Sequence, residues 1–582
     1  LIDEKSLDYN IFDVSKRTSS LGYKIKKDSL DNIIHCNLSD GEIITLGYNE
    51  YLSSHNKSYF KEKKISDIID EIKKADGEYL SVSINSKGII KIITDRYSSR
   101  PCFYAEINNN IYFSSNISFL VSLLPESVTF DPVGVFQMLN LDHTVGGRTT
   151  FNEIKRIRPA NEFEINDGVV VKKETYWSVK YKPDPINDYK EFAGKVFHEM
   201  VESIRKRTSN KEGFMSLSGG LDSRLIACAV DKKRFNAFTF VNSLSESNTR
   251  EVKVAKQVAR KLGINHRVKA FDGRLSIFDV IEDVIQLTGG QVAVHHSAKV
   301  MEYIKEIQRH GFHLGGGPGD TLAGAQVFTK KVDFDEKAVD EFVNHKLKYP
   351  AVFLKKISTN KGDFDLIEKL RSSIKESFSG LNEKYLPQLV SAWGLRERQP
   401  AFTLTSPIHN HPVAAESSPH LGYKYTDLML QLSANDIIKK NFYKFLIYHN
   451  SPKLRKTAYA NTGMLLSSDL IERYYPQSYF NKLRLLFGKI KIIAKKHWGK
   501  LKPGYKIPFH YQYIKQDVEI LESTRSLLKN NSSLNKILNT QECINFIEGF
   551  QSGKIVFSYE NDANIIGFLI TMSYTQKHYN VK

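Results

Sequence analysis

The chain has 582 residues, 41% hydrophobic and 25% charged, with a formal net charge of +18. That length exceeds one hydrophobic core and implies two large domains with additions. Four scattered cysteines (Cys36, Cys102, Cys228, Cys543) without a C-x-x-C pair argue against a disulfide framework and a zinc site, and no apolar run reaches the roughly 20 residues of a membrane span. With no secretory leader read at the start, these features predict a cytoplasmic protein.

Residues 1–180 read as β-rich, with short apolar segments at 79–84, 89–93 and 111–113 separated by turn residues such as Asn108-Asn109-Asn110. Pro183-Asp184-Pro185 marks a linker over 181–187. Beyond it the pattern predicts a helix at 189–207, a strand at 214–217, a glycine-rich turn and a helix from about 223. A strand at 237–241, helices at 250–262 and 300–309 and a strand at 312–314 follow. Strands alternating with helices predict a parallel sheet covered on both faces. Residues 360–450 read as mostly helical. Between Lys439 and Lys506 sixteen Lys/Arg face two acids, Asp469 and Glu472. Within this region 480–500 reads as a basic amphipathic helix, with Leu483, Leu486, Phe487, Ile490, Ala494 and Trp498 on one side. It is expected either to pack on its own domain or to meet an acidic polymer or the inner face of a membrane. Nucleic acid is disfavoured, because the positive charges come without base-stacking aromatic motifs. The predicted domains are 1–180, 188–470 and 471–582.

The motif with the clearest chemistry is Ser218-Gly219-Gly220-Leu221-Asp222-Ser223, placed after a strand and opening a helix. Glycines let backbone N–H groups close around an anion, hydroxyls donate to phosphate oxygens, and the helix dipole adds a favourable field. A carboxylate in such a cradle calls for a cation, so Asp222 reads as a Mg²⁺ ligand. The loop lacks both G-x-x-x-x-G-K-[ST] and G-x-G-x-x-G, which excludes a kinase-type phosphate loop and a dinucleotide fingerprint.

In this order and context the loop resembles the pyrophosphate loop of the asparagine synthetase and β-lactam synthetase family. Asp76-Gly77-Glu78-Tyr79, the stretch from Asp95-Arg96 to Phe103-Tyr104, and Phe113-Ser114-Ser115-Asn116 resemble its amidotransferase-like N-terminal domain. Phe238-Thr239-Phe240 with Glu251 resembles the adenine-side segment, and Gly315-Gly316-Gly317-Pro318-Gly319-Asp320 the second metal loop. The resemblance implies an α/β protein: an amidotransferase-like β-sandwich (αββα) followed by a parallel-sheet synthetase domain of the adenine-nucleotide α-hydrolase type. It implies ATP and Mg²⁺, with Asp222 and Asp320 as metal ligands and Ser218–Ser223, Phe240, Glu251 and Gly316 near the nucleotide.

Two departures shape the expected activity. Glutamine-hydrolysing members use an N-terminal cysteine; residue 1 here is Leu and the first cysteine is Cys36, so a domain without glutaminase activity is expected. Asparagine synthetases carry a Glu three residues before the second-loop aspartate and another directly after it; here these are Gly317 and Thr321. That favours a specialised acceptor, as in lactam-forming members, lasso-peptide cyclases or polysaccharide-cluster homologues, and 454–463 resembles these more closely. The expected chemistry is carboxylate adenylation and transfer to an amine, the carboxylate belonging to a small molecule, peptide or polysaccharide. The family's oxyanion lysine points to Lys456, with Lys444 and Arg455 behind it. Candidate bases are His295, His296, Glu416, His420 and Tyr425. Arg398 reads equally as a structural ion pair or a substrate contact. Three functions remain open: a specialised amide ligase, an asparagine synthetase using free ammonia, and a nucleotide-binding partner module.

Overall fold

Period-two alternation builds the first part of the chain. In a computed structural model that describes residues 11–15, 20–24, 33–107, 110–124, 128–208, 211–241, 248–270, 277–294, 300–324, 332–333, 335–359, 364–405, 416–476, 514–515, 517–530, 533–554 and 556–581, it forms antiparallel sheets. His295, His296 and the basic stretch 480–500 lie outside the described residues. β1 (Ile11–Ser15) pairs with β2 (Ser20–Lys24). β3 (Ile33–Leu38), β4 (Gly41–Asn49), β5 (Gly77–Asn85), β6 (Ile90–Thr94), β7 (Phe103–Ile107), β8 (Asn110–Ser114), β9 (Ile154–Arg156), β10 (Asn161–Asn166) and β11 (Val169–Thr175) follow. One sheet runs β11-β10-β6-β5-β4-β3 and a second runs β8-β7-β9. Neighbouring residues on a strand point to opposite faces. Ile44, Leu46, Leu80 and Val82 accordingly pack with Ile111 and Phe113 of the second sheet. Ile43, Tyr79 and Ile93 pack instead with Ile65, Ile68, Ile69 and Ile72, the apolar stripe of the helix Ile65–Lys74.

The second half changes register to a parallel sheet: β12 (Gly213–Ser216), β13 (Phe235–Val241), β14 (His266–Ala270), β15 (Phe312–Leu314) and β16 (Glu416–Ser417), in the order β14-β13-β12-β15-β16. The chain leaves β12 in one direction through β13 and β14, then returns to place β15 on the opposite side of β12. Such a reversal opens a crevice at the carboxyl ends of the strands. The Ser218–Ser223 loop follows β12 there, and the 315–319 loop follows β15.

The predicted linker is exposed at 182–185 and 187 and anchored where it begins. Residues 176–188 carry no helix or strand. Nevertheless Val179 and Tyr181 are buried, the Tyr181 N–H donates to Glu383 at 2.8 Å and its hydroxyl to Ser391 at 2.8 Å. The C-terminal helices Val518–Lys529, Thr540–Gln551 and Tyr559–Tyr579 contribute to the same hydrophobic cluster as the parallel sheet. The last of them is tied to the rest by Val294 N–H donating to Thr571 at 2.9 Å and by Ser118 and Tyr579 hydroxyls 2.6 Å apart. No helix of the described residues is long and apolar enough to cross a membrane.

The two halves meet at a buried charge cluster. Arg207, near the end of the helix Tyr189–Thr208, has a side chain with 0% exposure. Its guanidinium donates to both Asp76 oxygens at 2.8 and 2.9 Å, and its Nε donates to Glu78 at 2.8 Å. Burial alone would raise the Asp76 carboxyl, but Arg207 and the Tyr423 N–H together hold it below its usual range. A carboxyl depressed in the folded state stabilises fully above its unfolded value of about 4, and that contribution disappears as pH falls through the folded value. Arg207→Met, which leaves two buried acids uncompensated, is expected to cost about 3–5 kcal/mol at pH 7 in urea unfolding. The deficit relative to the parent is expected to narrow toward pH 3. A deficit constant from pH 7 to pH 3 would show that the ion pair is not its source.

Candidate functional site

The loop after β12 is shaped by its own side chains. Leu217 N–H still bonds to Phe238 of β13 at 2.8 Å; the chain then turns into the helix Asp222–Ala229. Ser223 Oγ accepts from the Ser218 N–H at 3.0 Å and lies 3.0 Å from Ser218 Oγ, which accepts from the Gly220 N–H at 3.0 Å. Gly219 threads a gap that admits no side chain: a Cβ there would lie 2.2 Å from Ala460 Cβ and 3.3 Å from Glu251 Cα. Arg224, fully buried, donates to the Ala458 carbonyl at 2.7 Å and clamps 458–460 against the loop.

The second loop presses on the first. A Cβ on Gly316 would lie 3.7 Å from Asp222 Cβ, and one on Gly319 would lie 3.0 Å from Asp222 Oδ1 and 2.6 Å from His420 Nε2. This proximity brings Asp222 and Asp320 together. Asp222 Oδ1 is buried and has no hydrogen-bond partner among the described residues. Burial and the Asp320 charge push the Asp222 carboxyl above its ordinary range, and Lys440 and the Tyr443 hydroxyl pull the other way. Two neighbouring carboxylates, one with an orphaned oxygen, fit a hard divalent cation that completes its shell with phosphate oxygens and water, as magnesium does. Among the described residues no group of three or more His, Cys, Asp or Glu side chains gathers to hold a metal.

The remaining wall comes from β15, β16 and the chain after them. Ser216 Oγ lies 2.9 Å from His313 Nε2, and His313 Nδ1 lies 3.2 Å from Glu416 Oε1, an array across three strands. His420 lies 3.0 Å from the Tyr443 hydroxyl, and its burial lowers it to about 3, so its ring is neutral at neutral pH. Tyr425 is buried beside the Asp222 charge.

Of the sequence-predicted residues, Ser218–Ser223, Gly316, Asp222 and Asp320 come together, with Glu416, His420 and Tyr425 beside them. The Glu251 backbone abuts Gly219 while its side chain is exposed. Phe240 stands on β13 with its ring 6.4 Å from Phe214 and 6.2 Å from Phe238. Lys444 is half-buried on the helix Asn441–Asn450. Lys456 is exposed, and its carbonyl accepts from Lys261 at 3.1 Å. Arg455 stacks over Tyr475 and Tyr448 at 4.5 and 5.1 Å. The cation that acts on Asp222 is Lys440, which sequence reasoning missed, together with Tyr443 and Arg224. Lys440 sits in a left-handed conformation (φ 56°) just before an aromatic-rich helix, and its only sequence signal was a pair of lysines ahead of that helix. All four cysteines are free, and burial raises each thiol, Cys228 to about 11 and Cys543 to about 12, so none is a poised thiolate.

Residues 195–441 match the family model for asparagine synthase. The match takes in the parallel sheet and both loops. Asparagine synthetase [glutamine-hydrolyzing] 1 of Bacillus subtilis (strain 168) is 22% identical over 262 residues, covering 44% of this chain and 37% of that protein. Asparagine synthetase [glutamine-hydrolyzing] 2 of the same organism is 25% identical over 268 residues, covering 42% and 33%. The chain thus spans well under half the length of these curated relatives. The structure of NMN synthetase from Francisella tularensis is 18% identical, covers 36% of this chain and 93% of that one, and has a TM-score of 0.19, too slight to place the fold.

Gly219→Ala places a methyl against Ala460 and must displace the loop. Affinity for ATP, read by isothermal titration, is expected to fall at least about tenfold, the size of one lost charged hydrogen bond, while circular dichroism stays unchanged. Unaltered affinity would remove the loop from the nucleotide site.

Proposed function

We propose that this protein is an ATP-dependent carbon–nitrogen ligase that adenylates a carboxylate and passes the acyl group to an amine, forming AMP and pyrophosphate. The observation that carries this reading is the meeting of the two loops at the reversal of the parallel sheet, with the Asp320 charge acting on the buried Asp222 carboxyl. The match of 195–441 to asparagine synthase supports it.

A carboxylate is a poor acylating agent because its oxygen leaves badly. In the proposed reaction its oxygen attacks the α-phosphorus of ATP, the bond to the bridging oxygen breaks, and pyrophosphate leaves. The Ser218–Ser223 loop would receive that pyrophosphate. Asp222 and Asp320 would hold magnesium, whose charge offsets that building on the phosphates. The amine lone pair then attacks the acyl carbon, the bond to AMP breaks, and the nitrogen gives up a proton. We assign that proton to Glu416, whose carboxylate lies 3.2 Å from His313 on the neighbouring strand. Lys440, beside Asp222, is placed to steady developing negative charge.

The acceptor is proposed to be specialised, because Gly317 and Thr321 stand where asparagine synthetases carry glutamates. The N-terminal region is proposed to be a degenerate amidotransferase-like αββα domain without glutaminase activity, a reading with which the burial of Cys36 and Cys102 agrees. Free ammonia as the amine and aspartate as the carboxylate is the second reading, favoured by the two asparagine synthetase relatives.

Magnesium-dependent exchange of labelled pyrophosphate into ATP, in the presence of the right carboxylate, is the expected activity. Asp222→Asn is expected to lower it about 100-fold or more, the usual size for removing one preorganised charge-stabilising group. Full activity in that variant would sink the metal assignment, and formation of asparagine from aspartate and ammonia would select the second reading.

A further inference from the structure

The π-helix Gly394–Thr403 stands between the two halves of the chain and touches both. On one side it meets the second loop, where the Gln399 amide donates to the Thr321 hydroxyl at 2.6 Å. Thr321 follows Asp320 directly. On the other side the helix is held by the N-terminal half. Glu397 accepts from the Gly146 N–H at 2.8 Å and pairs with Arg158. The Pro400 carbonyl accepts from Arg156 Nη1 at 2.8 Å, and the same nitrogen donates to the Thr405 hydroxyl at 2.7 Å.

Arg156, the last residue of β9, makes that contact at a cost. Its side chain is buried, and its Nε and Nη2 groups have no hydrogen-bond partner among the described residues. The Phe103 ring lies 4.9 Å from the guanidinium, but no acid of the described residues pairs with it. Burial lowers it to about 10, so it remains a cation at neutral pH. A buried charge without a counter-ion is poor value as a stabiliser: an apolar side chain of similar length can replace it without loss of stability, or with a gain. What an apolar side chain cannot do is hold the Pro400 carbonyl, and with it the end of the helix that anchors Thr321.

We propose that Arg156 is a positioning residue for the second loop. From the N-terminal half it fixes the end of the π-helix, the helix fixes Thr321 through Gln399, and Thr321 fixes the backbone that carries Asp320. The proposal rests on the reading of Asp222 and Asp320 as metal ligands, and adds to it a control of that centre by the N-terminal half. Partners that orient ligands from outside the coordination shell act in this way.

The test compares Arg156→Met with the parent, both as the full chain. Hydrogen exchange of 315–324, followed by mass spectrometry without metal or nucleotide, is expected to quicken about tenfold, while 218–229 is unchanged. Binding of Mn²⁺ in the presence of α,β-methylene-ATP, read by electron paramagnetic resonance, is expected to weaken about tenfold. The midpoint of urea unfolding is expected to stay or rise. Arg156→Lys, which keeps the charge and a donor, should fall between parent and Arg156→Met in both exchange and Mn²⁺ affinity, and it decides the matter if Arg156→Met does not fold. Thr321→Val removes the hydroxyl that Gln399 meets; in that background Arg156→Met is expected to add nothing, because the two act along one chain of contacts. Unchanged exchange at 315–324, or full additivity of the two substitutions, overturns the positioning role. Failure of the parent to bind Mn²⁺ would instead count against the metal centre, and hydrogen exchange alone then decides the role of Arg156.

Discussion

Arg207 carries a guanidinium into a place with no exposure, and the acids it meets come from the other half of the chain. Replacing such a cluster by apolar groups can be neutral, but breaking it on one side is costly, so its main effect is to allow one arrangement and forbid others. That arrangement extends. Glu78, held by Arg207, also accepts the Ser417 hydroxyl and the Ser418 N–H. Ser417 belongs to β16, and the next residues lead to His420. Arg100 reaches the Glu416 carbonyl at 3.5 Å. A two-residue strand gains little from its own ladder, so the N-terminal sheets set where Glu416 and His420 stand. The N-terminal half thus has a physical task in the site that requires no chemistry of its own.

Within the synthetase half the governing constraint is close approach. The parallel sheet reverses direction between β12 and β15, and both loops leave from that point. Glycines at 219 and 319 let the chain pass close to neighbouring backbone or carboxylate, and the result is a second acidic charge acting on Asp222. The fold tolerates it because Lys440 and Tyr443 offset part of the repulsion. What remains uncompensated is what a cation and a phosphate chain would neutralise.

The parts legible in the sequence are those whose cause is local. The six-residue loop states its backbone requirement in its glycines. The helix Arg250–Leu262 is bounded by Thr249, whose hydroxyl accepts from Val252, and by Gly263 in a left-handed conformation, both visible as cap residues. The strand β15 matches the predicted Phe312-His313-Leu314. The parts that were not legible depend on partners distant in sequence. β16 is too short to show a period and exists through pairing with β15. The linker reads as Pro-rich coil, yet Tyr181 finds Glu383 and Ser391. Pro400 inside 394–403 argues against an α-helix, and the chain answers with a π-helix, which no local pattern announced. Lys440 reaches Asp222 only because its backbone turns left-handed ahead of a buried helix.

The same π-helix packs against both departures at the second loop. A side chain at 317 would begin with a Cβ 2.9 Å from Thr403 Cγ2, so Thr403 would have to shift to admit one. At 321 the threonine hydroxyl accepts from Gln399 at 2.6 Å and the carbonyl accepts from Ser391. Gly394 packs against it so closely that a Cβ would lie 3.0 Å from Thr321 Cγ2. A glutamate at 321 would lose the hydroxyl contact and crowd that helix. The wide turn thus approaches position 317, uses Thr321 as an anchor, and brings Arg398 to the cleft beside Asp320.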